Sequence, residues 1–261
     1  MRIGLDALAV GESEGTGLQS YSFNLVRSLL SIDESNEFIV YCRRRVPEVL
    51  RPFARKAEFR VCRLGSRKLC EQGWMPFAVP RDGLDVFHGL AGLPLRAPHP
   101  AVLTVHGLSW RIIPEVFSAL QRAYWRYVVE SGIHRAARLV CISEWTKNVV
   151  VDRIGIPADR IDVVHHGLNH EFFRPITDET LLLRVREHLD LPERFVLFVS
   201  ALLPVKNVST LVCAYDQLIR RKEMSDVGLV IAGGRGWGSE APGSLWRFDV
   251  GHSSGAGRRL Q

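Results

Sequence analysis

Short runs of apolar and β-branched residues alternate with amphipathic repeats along most of this chain, and this alternation constrains the fold more than any other feature. Apolar residues recur at helical spacing in residues 18–32 and again in residues 208–219. Such alternation is typical of an α/β protein with parallel sheets. The runs that predict strands are residues 2–8, 38–42, 59–64, 86–88, 101–106, 139–142, 161–165, 195–200 and 228–232.

A turn-rich segment, residues 166–175, follows the seventh predicted strand and divides the chain near Pro175. Residues 1–175 are predicted to form one Rossmann-like lobe and residues 176–237 part of a second. The second is incomplete because a doubly wound lobe needs about 150 residues or more. The apolar repeat stops after Gly234, so residues 238–261 are predicted to be a disordered or non-native tail, through natural flexibility, truncation or a frameshift.

Composition narrows the class of protein. With 46% hydrophobic and 24% charged residues, disorder over the whole length is excluded. The longest apolar run, residues 195–205, is shorter than the roughly 18 residues of a membrane helix, and Asp6 interrupts any secretory signal. The five cysteines contain no Cys-x-x-Cys pair, which indicates buried free thiols in a reducing compartment. A cytoplasmic location is therefore expected, and the net charge of +6 favours anionic partners.

The first loop carries Gly15 and Gly17 immediately before an amphipathic helix. Glycines at a helix N-terminus let backbone amides approach a phosphate or a sugar. The pattern Gly15-x-Gly17-x-x-Ser20 nearly matches a dinucleotide fingerprint, and the run 43–45 of three arginines suits a 2′-phosphate. A flexible surface loop and an NADP site are the alternatives here.

Polar residues end several predicted strands. His88 and His106 do so at comparable places, and the carboxyl ends of parallel strands line the ligand crevice of an open sheet. Ser143 and Glu144 follow the strand 139–142, where Ser143 is favoured as a helix cap.

Two further groups of residues suggest ligand chemistry. Lys206 and Asn207 join a hydrophobic strand to a helix start, an arrangement that suits a diphosphate. The histidines in segment 165–170 invite a metal site, but neighbours on a strand point to opposite faces and no acid or cysteine completes a ligand set. No metal site is predicted.

Taken in order, these pieces resemble the family 4 glycosyltransferases, which are retaining enzymes of the glycosyltransferase-B type (group 1). The resemblance spans residues 1 to about 237. The residues that carry it are the Gly15–Gly17 loop with its helix, the runs 85–88, 104–108, 142–147 and 163–169, the motif Pro204-x-Lys206-Asn207, and the run 229–234.

The resemblance implies two Rossmann-like lobes facing each other across a cleft, and transfer of a sugar from a nucleotide sugar to a glycan or lipid-linked acceptor with retention. It places His106 beside the reacting sugar as the catalytic histidine and assigns Gly15, Gly17, Lys206 and Asn207 to donor binding. Candidates for the rest of the cleft are His88, Ser143, Glu144 and Gly167. No cofactor, metal or nucleic acid is implied. Basic residues beside aromatic ones at residues 122–127 favour a half-buried packing helix, and peripheral contact with the inner face of the cell membrane is the alternative.

The sequence departs from the family pattern in the second lobe. Leu202 or Leu203 stands where a basic residue is common, and Gly107 stands where an acid usually follows the histidine. The paired glutamates that hold the donor have no counterpart, because Glu240 and Asp249 are the only acids after Gly234. Impaired transfer is therefore expected. A non-catalytic module that binds a glycan, a polyphosphate or a partner subunit, and an NADP-dependent reductase, are the alternatives.

Overall fold

The computed structural model describes residues 1–10, 17–98, 100–224, 226–234, 245–248 and 258–260. Contacts divide the chain into unit 1, Met1–Gly167, and unit 2, Leu168–Gln261. The division falls after Gly167, slightly before the hinge expected near Pro175. The tail predicted over residues 238–261 lies outside the described residues except for two short strands.

Unit 1 is built around a seven-stranded sheet in which every neighbouring pair is parallel, in the order β3-β2-β1-β4-β5-β6-β7. All seven predicted runs form strands here, with ends that shift by a few residues. The strands are β1 Arg2–Asp6, β2 Glu37–Arg43, β3 Ala57–Cys62, β4 Val86–Gly89, β5 Ala101–Val105, β6 Arg138–Cys141 and β7 Ile161–Val163.

The helical segments of unit 1 connect these strands. Two of them contain π-helical turns, Cys70–Trp74 and Arg126–Glu130, each continuous with the α-helices beside it. The α-helices are α1 Gly17–Ile32, α2 Arg67–Leu69, α3 Met75–Ala78, α4 Ser109–Ile112, α5 Ala119–Trp125, α6 Ser131–Arg135 and α7 Glu144–Ile154, and the 3₁₀ turns are Glu48–Phe53, Val79–Asp82, Pro114–Val116 and Ala158–Arg160.

Both faces of the unit 1 sheet are covered. Along β2, Phe38 and Val40 pack into one apolar core with Val26 of α1, whereas Ile39 packs into a second core with Val150 of α7. This alternation follows from the twofold repeat of a strand, and burial on both faces is the reason the strands read as continuous apolar runs. Unit 1 is therefore a doubly wound α/β lobe.

The cysteines largely match the expectation of buried free thiols. Cys42, Cys62, Cys70 and Cys141 are free and buried among the apolar residues of unit 1. Cys213 is free but exposed on a helix of unit 2, so the prediction of burial is wrong for that residue.

Unit 2 contains a smaller α/β arrangement. Strands β8 Arg194–Val199 and β9 Val227–Ala232 are parallel and are joined through α9 Val208–Arg220, while α8 Glu179–His188 precedes them. Leu202, Tyr215, Leu229 and Ile231 form its buried core. Strands β10 Leu245–Phe248 and β11 Arg258–Leu260, which the sequence did not predict, extend this sheet in antiparallel fashion beyond β9. In the described part of the chain, no helix combines the length and apolarity needed to cross a membrane.

Candidate active site

The strand order of unit 1 places a candidate site at the carboxyl edge of its sheet. From β1 the chain winds outward through β2 and β3, then returns to the other side of β1 with β4. Ligands of open α/β sheets bind outside the carboxyl ends of the strands at such a switch point. His88 on β4 and His106 directly after β5 both lie near this edge.

Thr104 of β5 is the hub of a buried polar cluster at this edge. Its hydroxyl lies 2.9 Å from Nε2 of His88 and 3.0 Å from the phenolic oxygen of Tyr21 on α1. A hydroxyl both donates and accepts, so Thr104 can satisfy both neighbours at once. The cluster ties α1, β4 and β5 together.

His106 joins the same cluster through its ring. Nε2 of His106 donates to the carbonyl oxygen of Leu90 at 2.7 Å, and its ring packs edge to face against Tyr21 at 4.7 Å between centroids. The ring of His166 also packs against Tyr21 at 4.8 Å and lies 5.8 Å from that of His106. Four side chains therefore converge from three parts of the chain, namely α1, the end of β5 and the segment after β7: Tyr21, Thr104, His106 and His166.

Burial keeps the two strand-end histidines neutral. It lowers the pKa of His88 to about 4, with a smaller contribution from the nearby His106 ring. Burial also lowers the pKa of His106, although the hydrogen bond to Leu90 opposes that shift. Since Nε2 of His106 holds its proton against the carbonyl, Nδ1 carries the free lone pair in the neutral ring. Nδ1 has no hydrogen-bond partner among the described residues.

The backbone of Leu90 links His106 to a buried carboxyl group. The Leu90 carbonyl accepts from His106, and the backbone N–H of Leu8 donates to Oδ1 of Asp6, at the end of β1, at 3.0 Å. The backbone N–H of Leu90 also acts on the Asp6 carboxyl group and by itself would lower its pKa. Burial nevertheless raises the pKa of Asp6. The carboxyl end of β1 is thus coupled to His106 through one residue of the loop after β4.

Glu71, on the first π-helical turn, supports that loop from outside the sheet. It is 3% exposed, and burial raises its pKa to about 7, with a further contribution from Asp6. A Cβ on Gly92 would lie 2.2 Å from Oε1 of Glu71, so only glycine leaves room for this carboxyl group. Gln72 donates to that same Oε1 at 3.0 Å and to the carbonyl of Leu93 at 3.1 Å.

The backbone conformation explains why a glycine, Gly107, follows His106. Gly107 has φ +151°, a value that side chains rarely adopt. An acid at this position, as the family resemblance leads one to expect, would be strained in the present backbone. The departure noted in the sequence is therefore consistent with the local geometry.

The predicted glycine loop is described only at its end. Gly15 lies outside the described residues. Gly17 is the first residue of α1, and a Cβ built there would meet nothing within 4 Å. No described residue therefore crowds the N-terminus of the helix that carries Tyr21.

The remaining candidates of unit 1 play different local roles. Ser143 caps α7, accepting from the backbone N–H of Thr146 at 3.2 Å as the sequence predicts. Glu144 is exposed in the first turn of the same helix. Gly167 is exposed at the end of unit 1, and a Cβ there would meet nothing within 4 Å.

In unit 2, Lys206 and Asn207 immediately precede α9. Lys206 is exposed at the end of the 3₁₀ turn Pro204–Lys206, and Asn207 adopts a left-handed conformation with φ +52°. Oδ1 of Asn207 accepts from the Thr210 hydroxyl at 2.7 Å, which leaves the first N–H groups of α9 without a side-chain cap. Leu202, where a basic residue is common in the family, is buried in the unit 2 core.

The sequence also raises the questions of a metal site, which it does not predict, and of an NADP site, which it leaves as an alternative. Within the described ranges, no three His, Cys, Asp or Glu side chains are grouped so that they could hold a metal ion. Arg43 and Arg44, which raised the NADP alternative, both donate to the carbonyl of Gly65.

Several members of this site were not singled out from the sequence. The sequence places Tyr21 in the apolar repeat of α1 and Thr104 inside a predicted strand. Thr104 and His166 also fall in runs that carry the family resemblance, and His166 is weighed as a metal ligand, but no role at this site is predicted for any of the three. Position in the sequence is the only further indication of a role. Thr104 lies two residues before His106, and Tyr21 lies one helical turn after Gly17. Glu71 gave no signal because the π-helical turn that buries it has no sequence signature.

A doubly wound parallel lobe with a polar site at its switch point, followed by a second α/β unit, is the architecture of glycosyltransferases of the glycosyltransferase-B type. The family model of Glycosyltransferase Family 4 matches residues 16–172. The chain therefore belongs to glycosyltransferase family 4. No curated protein has a sequence that matches this chain.

Solved structures show the same fold at low sequence identity. HepE from Anabaena, in complex with UDP-glucose, superimposes with a TM-score of 0.60 at 15% identity over 92% of this chain and 62% of HepE. WaaG, a glycosyltransferase involved in lipopolysaccharide biosynthesis, gives 0.59 at 12% identity over 90% and 64%, respectively. A glycosyltransferase from Rickettsia africae gives 0.53 at 16% identity over 89% and 60%. The chain spans less than two thirds of the length of these structures.

Proposed function

We propose that this protein transfers a hexose from a nucleotide-sugar donor to a glycan acceptor with retention of configuration. The observation that carries the proposal is the cluster of Tyr21, Thr104 and His106 at the switch point of a family 4 lobe. Family membership favours sugar transfer over the NADP-dependent reductase. A non-catalytic module stays the alternative, and activity that appears only with a partner subunit would favour it.

Unit 2 supplies the donor side of the proposal. Lys206 offers a mobile cation, and the uncapped N-terminus of α9 offers backbone donors to the same diphosphate. Together they neutralise the charge of a leaving diphosphate without a metal ion. HepE has been solved with UDP-glucose, which supports a UDP-hexose as the first donor to test.

In the proposed reaction, the acceptor hydroxyl oxygen forms a bond to the anomeric carbon on the face from which the diphosphate departs. The bond between that carbon and the diphosphate oxygen breaks, and the hydroxyl proton passes to the leaving diphosphate. The configuration is retained because attack and departure share one face. Positioning and charge stabilisation then supply most of the rate enhancement.

His106 acts in this scheme as a neutral hydrogen-bond acceptor. Its Nε2 proton is committed to the Leu90 carbonyl, so Nδ1 can accept from a sugar hydroxyl beside the reacting carbon. A lowered pKa keeps this lone pair free at neutral pH. Gly15 and Gly17 would let the backbone approach the donor or acceptor, and His88, Ser143, Glu144 and Gly167 are the further residues proposed to line the cleft.

The proposal includes a cytoplasmic location at the inner face of the cell membrane, where a lipid-linked acceptor would be met. The buried free thiols of unit 1 support a reducing compartment. The basic and aromatic residues of α5 support contact with an anionic surface.

Lys206→Ala tests the donor assignment. Titration calorimetry with UDP should show binding weakened by about 1.5–3 kcal/mol, the range for a hydrogen bond to a charged group. Lys222→Ala, at an exposed lysine after the other end of α9, is the matched control and should bind as the parent does. Equal affinities for the parent and Lys206→Ala would remove Lys206 from the donor site.

Transfer itself is measured with UDP-glucose, a glycan acceptor and NMR of the product anomer. For these 261 residues we expect slow turnover, as the departures from the family pattern described above imply, and a product with the anomeric configuration of the donor. A product of inverted configuration would contradict retention.

A further inference from the structure

A cavity of about 550 Å³ lies in unit 1 between α4 and the helix formed by α5 and the second π-helical turn. Its lining includes Trp110, Arg111, Arg122, Arg126 and Tyr127. The volume falls within the usual range of small-molecule sites, about 300–1,000 Å³. Three guanidinium groups and two aromatic rings in one cavity call for a ligand that is anionic and has an apolar face.

One arginine belongs to the wall of the cavity. Arg111 donates to both carboxylate oxygens of Glu130, each at 2.6 Å, and the indole N–H of Trp110 donates to the same carboxylate at 2.9 Å. Burial by itself would raise the pKa of Glu130, but these hydrogen bonds lower it overall. The carboxylate is therefore ionised and balances the charge of Arg111.

The other two arginines are not balanced in this way. Arg122 and Arg126 lie one helical turn apart on the opposite wall, and both are exposed. Among the described residues, neither forms an ion pair. Arg122 donates only a long hydrogen bond, 3.3 Å, to the carbonyl of Pro114. Two planar cations therefore face a cavity whose described lining contains no carboxylate. The nearby Glu130, whose pKa Arg126 also helps to lower, is hydrogen-bonded by Arg111 and Trp110.

The aromatic part of the cavity is rigid on one side and accessible on the other. The Trp110 ring stacks on Trp125 at 5.2 Å with an interplanar angle of 12°, which fixes its orientation. Tyr127 is 82% exposed at the rim. The Trp110 and Tyr127 rings offer a sugar ring an apolar surface, and the indole N–H and phenol hydroxyl are polar groups at the edges of that surface.

The cavity also begins close in sequence to the candidate active site. Trp110 lies on α4, which follows β5 and His106 after a short connection. The Ser118–Gln121 capping box fixes the start of α5, and Arg122 follows directly. One wall of the cavity is formed by α4, which follows β5 and His106. The other is formed by α5, whose first residue is fixed by the capping box.

We propose that this cavity binds the anionic group of the acceptor, and that the acceptor is a glycan carrying a carboxylate or a phosphate next to the sugar that is extended. The inference rests on the proposed function and specifies its acceptor class. Arg122 and Arg126 hold the anion, and Trp110 and Tyr127 hold the sugar ring. Bidentate contacts from arginine to a carboxylate or phosphate give both affinity and orientation.

The test uses matched pairs of probes on the full chain. Cellobiouronic acid and cellobiose differ by one carboxylate, and glucose 1-phosphate and glucose differ by one phosphate. Binding is followed by NMR shifts of the tryptophan indole N–H groups, with Trp110 assigned by Trp110→Phe. We expect shifts of Trp110 with at least one charged probe and none with its neutral partner, and the preferred pair identifies the anion.

Arg122→Gln/Arg126→Gln should weaken binding of that charged probe about tenfold or more. Arg55→Gln/Arg153→Gln, at exposed arginines elsewhere in unit 1, removes the same charge and should leave binding unchanged. Equal weakening by both double variants, equal binding of charged and neutral probes, or no binding of either charged probe would overturn the proposal. So would binding that appears only with vesicles containing phosphatidylglycerol, since these arginines would then serve only the membrane contact proposed above and not the acceptor.

The two proposals fail separately. UDP affinity reports the donor site of unit 2, whereas the probe pairs report the cavity of unit 1. Loss of probe binding in Arg122→Gln/Arg126→Gln with unchanged UDP affinity supports an acceptor role. Normal probe binding in a chain that binds no UDP would support the cavity and contradict the donor assignment.

Discussion

At the scale of single residues, Glu71 and His88 show how burial decides protonation near the candidate site. Burial raises the pKa of the Glu71 carboxyl to about 7 and lowers that of the His88 imidazole to about 4. Both shifts favour the uncharged form because a charge loses its hydration in the interior. The two groups have opposite effects on the pH dependence of stability.

Glu71→Gln tests whether the buried carboxyl group of Glu71 makes the protein less stable as pH rises. Between the ordinary value of 4.5 and about 7, folded Glu71 keeps a proton that the unfolded chain has released, so its contribution to the free energy of unfolding falls as pH rises. Gln mimics the protonated form and removes this loss, which amounts to at most about 3 kcal/mol. Urea unfolding across that pH range should show the variant gaining stability over the parent as pH rises. Glu115→Gln, at an exposed glutamate, is the control, and parallel curves for Glu71→Gln and the parent would show that Glu71 has no such role.

At this same scale the sequence predicted His88 and His106 correctly as strand-end residues. It could not predict the protonation state of either ring, because that depends on the Leu90 carbonyl and the Thr104 hydroxyl. These partners lie on a neighbouring strand or in the loop after one, and only the strand order brings them next to the two histidines.

At the scale of elements, the strands of unit 1 were predictable and the π-helical turns were not. Parallel strands buried on both faces leave long apolar runs in the sequence, and β2 with its two cores is an example. The π-helical turns Cys70–Trp74 and Arg126–Glu130 each carry a buried glutamate, Glu71 and Glu130. Such turns are frequent at functional sites.

The first of these turns supports the loop that holds His106, and Gly92→Ala tests that support. Its Cβ would lie 2.2 Å from Oε1 of Glu71, so the carboxyl group or the loop must move. We expect a loss of about 1–3 kcal/mol in stability, typical of overpacking, and a changed NMR signal for the Nε2 proton of His106. Gly73→Ala, on the same turn with nothing within 4 Å, is the control. If the His106 signal is unchanged in a folded Gly92→Ala protein, Glu71 does not support the loop that binds His106.

At the scale of the whole molecule, the two units differ in how fully their sheets are covered. The sheet of unit 1 packs into an apolar core on each face. In unit 2, Phe198 of β8 packs against the core, but Leu197 and Val199 are 54% and 69% exposed. The second and smaller unit was predictable from the number of residues beyond the turn-rich segment. Its strands β10 and β11 were not predictable, because the sequence there has no apolar repeat.

The uncovered face of β8 leads to a prediction about association. Leu197 and Val199 lie two residues apart and so share one face of the strand, and β8 is the edge of the sheet among the described residues. An apolar edge strand pairs readily with another chain. The 261-residue chain should therefore self-associate as its concentration rises.

Leu197→Lys/Val199→Lys should suppress this association, because charged side chains on an edge strand oppose pairing. Sedimentation velocity over a concentration series measures the effect. Val49→Lys, at an apolar residue of unit 1 that is 52% exposed, is the control and should associate as the parent does. A parent chain that stays monomeric throughout the series would contradict the prediction. If Val49→Lys suppressed association equally, net charge rather than the face of β8 would be its cause.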